Sequence, residues 1–514
     1  MLDATPLARV FAARRLAALA RLDPSQAQRR QLMRLVRRAR HTRFGRDHGF
    51  DAITDVAGFQ ARVPLRRYED FWRDYWQPAF PRLADLTWPG TIPYFAATSG
   101  TSTGTTKFIP VTRAMAQSNR RAGTDVLFHH LGNRPSSRVL GGLSMMLSGS
   151  VDLVEQAPGI LSGDLTGISM REAPRWGRPF TFAPADLAGE TDWSRKIAQL
   201  GQRSLARDIR LVAGTTSWLL LYFDTLAALA PGDRRLARLY PHLDLVVHGG
   251  VSFTPYRSRF EEWLEGSHAE LREVYPASEG FFAMADRGTG DGLRLNLDGG
   301  LFFEFVPVEE IGQPRPTRHW VGDVEVGRDY AIAVTTCAGL WSYLVGDTVR
   351  FVDRSPPRLL VTGRTSYFLS AFGEHLTGEE IDSAVADSAA AIGAEVADYA
   401  VGAVFPGDGD ARGGHLFVIE TAEPLPDRDR LARFARTLDQ RLSALNDDYA
   451  AHRAADYGMR PPEVVLVAPG CFADWMRSRG KLGGQNKVPR VINDQALFAG
   501  LRDFAGSRTV CTVA

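Results

Sequence analysis

Five short apolar runs lie between residues 92 and 278. They are IPYFAAT, RVLGGLSMM, IRLVAGT, LDLVVHGG and LREVYPAS. Most of them end in Gly, Ser or Thr, and polar or amphipathic stretches follow. Runs of this length, rich in β-branched residues, are typical of buried strands that alternate with helices. The pattern predicts an α/β sheet whose ligands gather at the carboxyl ends of its strands.

The pattern differs on either side of these runs. Residues 5–45 carry helical apolar spacing, and RVPLRRYEDFWRDYW reads as a proline-punctuated linker entering an aromatic helix. From about residue 292 shorter alternating strands predict a mainly antiparallel sheet or barrel. After TGRTSYF helix and strand patterns return. We therefore expect an α/β protein with two domains. Residues 1–364 form a large N-terminal domain with a β-barrel-like subdomain, and residues 365–514 form a small C-terminal α/β domain.

Composition narrows the partners of this 514-residue chain. The formal net charge is +2, and the three cysteines have no CxxC spacing. These values favour a small-molecule substrate over nucleic acid, and a reducing compartment over a disulfide framework. No apolar run reaches the length that spans a bilayer, and the N-terminus lacks a signal peptide's continuous apolar stretch. We expect a cytoplasmic protein with no membrane partner.

A loop in YFAATSGTSTGTTKFIP carries the strongest chemical signal. Residues 98–106 contain only Thr, Ser and Gly, and Lys107 follows. Glycines allow close approach, backbone N–H groups form an anion nest, and a lysine neutralises phosphate charge. The loop therefore predicts a triphosphate site. It is not a Walker A loop, because a strand rather than a helix follows it. The alternative is a flexible hairpin turn.

Two further segments interrupt apolar stretches with carboxylates. VYPASEGFF ends a strand with Tyr275, Ser278 and Glu279. There an aromatic ring can cover a purine and a carboxylate can hold Mg²⁺. WSYLVGDTVRFV places Asp347 where a ribose would satisfy it. A turn with a solvated glutamate, and an aspartate in a hairpin turn, are the alternatives.

The C-terminal third adds two candidate segments. VTGRTSYFLSAFGEHL contains Arg364 and His375 and could equally be an interdomain linker, and GGQNKVPR offers Lys487, which could equally be a solvated surface lysine. Lysine is rare, because Lys107, Lys196, Lys481 and Lys487 are the only ones among 61 basic residues. Trp218 and His248, in GTTSW and HGGVSF, are predicted to line ligand pockets or to pack in the core.

Together, TSGTSTGTTKFIP, YPASEG and YLVGD resemble the nucleotide motifs of the Gretchen Hagen 3 family of acyl acid amido synthetases. This auxin-responsive family is a branch of the acyl-adenylate-forming superfamily, whose fold is a large N-terminal domain with a small C-terminal lid. The resemblance implies ATP and Mg²⁺ as cofactors. It implies that a carboxylic acid is adenylated, that pyrophosphate is released, and that an amino acid's amine then takes the acyl group.

The resemblance also implies roles for individual residues. Catalytic roles fall to Lys107 and to Lys487, which would reach the acyl phosphate. His375 stands where plant members usually have a lysine, and a phosphate role there requires a protonated imidazole. Glu279 would serve the metal, Tyr275 would lie by the adenine, and Asp347 and Arg364 would hold the ribose. The remaining predicted nucleotide-binding residues are Thr98, Ser99, Gly100, Thr101, Ser102, Gly104 and Ser278.

We therefore expect an ATP-dependent ligase, monomeric or weakly oligomeric, that joins a small carboxylic acid to an amino acid. An acyl-CoA synthetase of the same superfamily is the nearest alternative, and a non-catalytic nucleotide sensor is the alternative from another class. The sequence does not identify the acid or the amine.

Overall fold

The computed structural model describes most of the chain. The described residues are 3–99, 106–147, 152–173, 175–187, 190, 193–230, 232, 235–250, 253, 256–288, 290–365, 369, 376–405, 413–423, 427–446, 449–450, 453, 459–480 and 488–513. Contacts divide the chain into two compact units, the first with residues 1–98 and 106–361 and the second with residues 362–514. The division falls after Val361, inside the strand that precedes the boundary predicted at Thr365.

The first unit begins with helices, as the apolar spacing of residues 5–45 predicts. They are α1 Thr5–Ala20, α2 Pro24–Ala39, α3 Arg43–Asp47, α4 Val56–Arg62 and α5 Tyr68–Phe71, which continues into a π-helical turn, Trp72–Trp76. The other helices of this unit are α6 Arg113–Asn133, α7 Leu165–Arg171, α8 Trp193–Ser204, α9 Thr216–Leu229, α10 Leu236–Leu239 and α11 Arg257–Leu264.

A ten-stranded sheet and a four-stranded sheet complete the first unit. The small sheet has the order β2-β1-β5-β4, with β1 Tyr94–Ser99, β2 Thr106–Val111, β4 Leu153–Ala157 and β5 Ile160–Gly163. The large sheet has the order β11-β12-β13-β14-β10-β9-β8-β7-β6-β3. Its strands are β3 Leu143–Met146, β6 Ile209–Thr215, β7 Leu245–Gly249, β8 Glu270–Ala277, β9 Gly280–Met284, β10 Leu293–Leu295, β11 Leu301–Pro307, β12 Asp329–Thr336, β13 Tyr343–Arg354 and β14 Pro357–Arg364.

The large sheet joins the two strand patterns of the sequence. Strands β3, β6, β7 and β8 run parallel, and helices α8 to α11 pack on them around a core that includes Phe223, Phe260 and Val246. The strands from β8 to β13 whose pairing is described run antiparallel, as the alternating segments predict. The N-terminal helices share one apolar core with this antiparallel part, in which Phe44 stacks on Trp341 at 5.9 Å.

The second unit is a three-layered α/β domain. Its sheet has the order β15-β16-β17-β18, with β15 Val396–Val404, β16 Gly414–Thr421, β17 Glu463–Val467 and β18 Thr509–Val513. Phe417 and Ile419 face α12 Gly378–Ala391 and α13 Arg428–Leu445, whereas Leu416 and Val418 face α14 Cys471–Ser478 and α15 Gln495–Gly506. The alternation follows from the two-residue period of a strand. The prediction of a large and a small α/β part is confirmed.

No helix in the described part of the chain is long and apolar enough to cross a bilayer.

Neighbouring residues on three parallel strands include two titratable side chains. Gly214, His248 and Glu273 are paired neighbours on β6, β7 and β8. His248 is fully buried, its ring lies 4.2 Å from Phe253, and burial lowers its pKa to about 3, so the ring is neutral. Of the two interpretations of His248, the packed residue fits. Burial also raises the pKa of Glu273 to about 7, against the opposing charge of Arg257.

The raised pKa of Glu273 makes stability depend on pH. Because the pKa in the fold lies above the ordinary value of 4.5, the stability that this group contributes is full below pH 4.5 and is lost as pH rises through 7. We expect Glu273→Gln to remove this loss, worth about 3 kcal/mol at most between pH 5 and 8. Denaturant unfolding followed by tryptophan fluorescence measures it in the first unit, which holds nine of the ten tryptophans.

Glu261→Gln, at an exposed position of α11, is the matched control. An equal pH response of wild type and Glu273→Gln would show that Glu273 is not the group that titrates.

Candidate active site

Curvature of the large sheet brings two predicted nucleotide residues together. Tyr275 on β8 and Asp347 on β13 lie four strands apart in the sheet order. In a flat sheet four steps would separate their backbones by roughly 19 Å. The Tyr275 hydroxyl nevertheless donates a hydrogen bond to Asp347 Oδ2 at 2.6 Å. The antiparallel part is therefore strongly curled, as the predicted barrel-like subdomain requires.

Asp347 lies within a strand and not in a turn. It occupies the fifth position of β13, after Gly346 at φ 93°, a conformation that favours glycine. The hairpin-turn interpretation of this aspartate is therefore wrong. A carboxylate among apolar strand residues needs a partner, and Tyr275, itself buried against Phe282, supplies one. The ring of Tyr275 and the carboxylate of Asp347 lie together, and the pair has the chemistry to bind a nucleoside.

Glu279 lies in the two-residue turn between β8 and β9, next to Ser278. The alternative interpretation was a turn with a solvated glutamate. The turn is present, but Glu279 is buried. Tyr343, the first residue of β13, is hydrogen-bonded to it. Burial, together with the nearby carboxylate of Glu279, raises the pKa of the Tyr343 hydroxyl well above its usual range. The hydroxyl therefore stays protonated and donates to the Glu279 carboxylate.

The segment before α5 connects this cluster to β2, the strand that follows the predicted triphosphate loop. Arg66 pairs with Tyr343 as an isolated parallel bridge, with Arg66 N–H donating to Ser342 O at 3.1 Å and Leu344 N–H donating to Arg66 O at 2.9 Å. This pairing fixes the start of α5 beside β13. The residues that follow Arg66 are therefore held next to Tyr343 and Glu279.

Lys107, in β2, meets two side chains of α5. Its Nζ lies 3.0 Å from Glu69 Oε1 and 5.1 Å from the centre of the Tyr68 ring. Tyr68 Oη accepts a hydrogen bond from Phe108 N–H at 3.0 Å, which fixes the strand that carries the lysine. Partial burial works against the charge of Glu69, but hydrogen bonds from its own backbone and from Lys107 lower the pKa of this carboxyl.

Sequence reasoning missed Tyr68, Glu69 and Tyr343. The first two lie in RRYEDFW, which reads as a linker, and only the strand pairing of Arg66 reveals their position. The presence of a glutamate and a tyrosine at the start of an aromatic helix gives no chemical signal by itself.

The other predicted residues are described only in part. Thr98 and Ser99 end β1, and Arg364 ends β14, but only their backbones are described. The remaining predicted residues, Gly100, Thr101, Ser102, Gly104, His375 and Lys487, lie outside the described residues. The structure thus brings Tyr275 and Asp347 into contact, and it places Lys107 and Glu279 on a strand and a turn of the same unit.

The predicted metal site fits Mg²⁺ in its chemistry. Magnesium prefers oxygen ligands and is usually bound by one or two carboxylates together with substrate phosphates. Glu279 offers a buried carboxylate whose proton-donating partner is Tyr343. The part of the chain that the structure describes contains no group of three or more His, Cys, Asp or Glu residues suited to hold a metal.

Comparison with known proteins identifies related sequences. Three domain models match: the GH3 family N-terminal domain at residues 15–226, the central domain at residues 295–364 and the C-terminal domain at residues 379–496. The indole-3-acetic acid-amido synthetase GH3.8 of Oryza sativa subsp. indica is 26% identical over 568 aligned residues, which cover 94% of this chain and 90% of that protein. GH3.3 of Arabidopsis thaliana, another indole-3-acetic acid-amido synthetase, is 26% identical over 54% of this chain, and this match spans 47% of that protein.

Solved structures show the same fold. The GH3.15 acyl acid amido synthetase has a TM-score of 0.79 at 18% identity, covering 98% of this chain and 96% of that one. A 2-hydroxyisobutyryl-CoA ligase in the postadenylation state, in complex with R3-HIB-AMP, has a TM-score of 0.62 at 17% identity, covering 94% and 92%. This is the fold of acyl-adenylate-forming enzymes. Since the three GH3 domain models together match most of its length, the chain belongs to the GH3 family.

Proposed function

We propose that this protein is an ATP-dependent acyl acid amido synthetase that activates a small carboxylic acid as an acyl adenylate and transfers it to an amino acid. The observation that carries the proposal is the hydrogen bond between Tyr275 and Asp347, with Lys107 and Glu279 in the same unit. These residues come from three separate sequence motifs and supply an aromatic ring, carboxylates and an ammonium group, the chemistry that a nucleotide requires.

The first half-reaction requires charge to be stabilised. A carboxylate oxygen of the acid attacks the α-phosphorus of ATP, a P–O bond to the departing pyrophosphate breaks, and negative charge develops on the phosphoryl oxygens. Lys107 would neutralise part of this charge, Tyr275 would cover the adenine, and Asp347 with Arg364 would hold the ribose hydroxyls. Magnesium, when bound through Glu279 and the phosphates, supplies further positive charge.

The second half-reaction needs little more than positioning. The acyl carbon of the mixed anhydride is already activated, so a neutral amine attacks it, AMP leaves, and the amine loses a proton. We propose that Lys487 reaches the acyl phosphate and that the second unit serves as the lid. The role of His375 would require a protonated imidazole.

We also propose a cytoplasmic enzyme, monomeric or weakly oligomeric, whose partners are the acid and the amino acid, with no nucleic acid or membrane partner. Support comes from the near-neutral net charge of the chain and from the described helices, of which none could span a bilayer.

One experiment separates this proposal from its rivals. The protein is incubated with MgATP and a panel of carboxylic acids, pyrophosphate release is measured, and amino acids or CoA are then added and the products identified by mass. We expect pyrophosphate release with at least one acid and an amide product. A thioester formed only with CoA would identify an acyl-CoA synthetase, and ATP binding without release would identify a nucleotide sensor.

Removing the ammonium of Lys107 should stop adenylation without unfolding the protein. The side chain is 21% exposed and contributes charge rather than core packing. We expect Lys107→Ala to lower kcat/KM for pyrophosphate formation by about 10²- to 10³-fold, the usual effect of losing one donor to a developing anion. Arg113→Ala, which removes an exposed cation at the start of α6, is the matched control. Loss of the folded circular dichroism spectrum in Lys107→Ala would contradict this role.

Glu279 should set the magnesium requirement. Glu279→Gln keeps the shape of the side chain but removes its charge, so we expect the Mg²⁺ concentration that half-saturates pyrophosphate formation to rise severalfold. Tyr343→Phe removes the hydroxyl that donates to Glu279 and leaves the carboxylate charge, so its effect should be smaller. A magnesium titration of Glu279→Gln that matches wild type would remove Glu279 from the metal site.

A further inference from the structure

The ammonium of Lys107 is held by two neighbouring side chains. Glu69 Oε1 lies 3.0 Å from Nζ, and the Tyr68 ring centre lies 5.1 Å from it. The two contacts come from consecutive residues of α5 and restrain the ammonium through two different kinds of interaction. The lysine is 21% exposed and Glu69 is 56% exposed, so the carboxylate lies on the water side.

Both partners are fixed through backbone contacts. The bridge between Arg66 and Tyr343 holds the start of α5 on the large sheet. The hydrogen bond from Phe108 N–H to Tyr68 Oη holds β2 against the same helix at 3.0 Å. Tyr68 also stacks on Trp72, with ring centres 5.8 Å apart. The geometry of the lysine is therefore set by the fold and not by a chance meeting of two surface side chains.

Magnitudes decide what this arrangement does for a phosphate ligand. A carboxylate beside the lysine weakens its attraction for phosphate, but an exposed ion pair changes an equilibrium by about fivefold at most. Ordering a free lysine side chain costs far more, equivalent to about 10- to 30-fold. The affinity gained by ordering the lysine in advance is thus larger than the affinity lost through the neighbouring carboxylate.

The rarity of lysine in this chain agrees with this function. Only four of 61 basic residues are lysines. A compact ammonium has three donors on a rotatable end, whereas a guanidinium is a rigid planar fork. An ammonium can contact a carboxylate and a ring face and still direct a donor towards a third group. Arginine would use its fork on the carboxylate.

We propose that Tyr68 and Glu69 are positioning residues that preorganise Lys107 for the triphosphate of ATP. This inference rests on the proposed function only in taking a nucleotide as the ligand of Lys107. Glu69 restrains the ammonium of Lys107 from the solvent side, and the face of the Tyr68 ring contacts the same ammonium. The Tyr68 hydroxyl fixes β2 through its hydrogen bond with Phe108 N–H. When the nucleotide binds, no further rotatable bond of the lysine side chain then has to be ordered.

The four lysines allow a test that does not require turnover. The whole protein is treated with a succinimidyl ester at increasing MgATP concentrations, and the labelling rate of each lysine is measured by peptide mass spectrometry. In wild type we expect MgATP to slow the labelling of Lys107. In Glu69→Gln without nucleotide, Lys107 should be labelled faster, and the MgATP concentration for half-protection should rise by about three- to tenfold. The buried Lys196 serves as internal reference.

Three further variants test the assignment. Asp70→Asn removes a carboxylate from the same helix, one that pairs with Arg73 at 3.1 Å, and should leave half-protection unchanged. Tyr68→Phe keeps the ring under the ammonium but removes the acceptor of the Phe108 N–H hydrogen bond, so its half-protection should lie between those of wild type and Tyr68→Leu, which should resemble Glu69→Gln. Circular dichroism checks that each variant is folded.

Each contrary outcome overturns the inference. Unchanged half-protection in Glu69→Gln would show that the contact has no effect on nucleotide binding, and a lower concentration would show that Glu69 competes with the phosphates. A lack of MgATP protection in wild type would show that Lys107 does not meet the nucleotide. Pyrophosphate release from the acid panel, measured separately, decides the proposed function itself.

Discussion

The candidate site depends on the curvature of one sheet, which the hydrogen bond from Tyr275 to Asp347 makes visible. The two residues lie on strands four steps apart in the sheet. Their side-chain oxygens are 2.6 Å apart because the antiparallel part curls over an apolar core. This curvature also brings the turn that carries Glu279 to the start of β13, where Tyr343 donates to it. The sheet therefore does more than support the site. The curvature of the sheet determines which residues of distant motifs can act on one ligand.

The N-terminal helices supply the second part of this arrangement. Phe44, Phe71 and Trp76 are fully buried, and Phe71 stacks on Trp76 at 5.0 Å. This aromatic packing joins α3 and α5 to the face of the curled sheet, so that α5 has a fixed position beside β13. A segment that looks like a linker in the sequence is thus part of the core. Two of its residues, Tyr68 and Glu69, are positioned by their apolar neighbours.

Much of the fold could be predicted from the sequence because it follows from local periodicity. The apolar runs that end in LVAGT, VVHGG and VYPA form strands β6, β7 and β8, and the segment around Asp347 forms β13. Pairings between distant residues could not be predicted in this way. Tyr275 and Asp347 are 72 residues apart, and Lys107 meets Glu69 across 38 residues, because their contacts depend on sheet order and on curvature. The hairpin-turn alternative for Asp347 arose in the same way, since a Gly-Asp pair is typical of turns, and the place of Asp347 in the sheet rules this alternative out.

The pairing of charged groups with partners inside the protein is part of how the site would work. Lys107 has Glu69 and the face of Tyr68, Glu279 has the hydroxyl of Tyr343, and Asp347 has that of Tyr275. A charged group that is held by a partner stays ordered at a partly buried position, whereas an unpartnered one would pay the full cost of desolvation. A triphosphate that arrives with its metal would meet groups whose charges are already held and would leave none of them buried without a partner. Electrostatic preorganisation of this kind needs little rearrangement at the moment of reaction, so fixed partners of Lys107 and Glu279 would favour the adenylation proposed for this site.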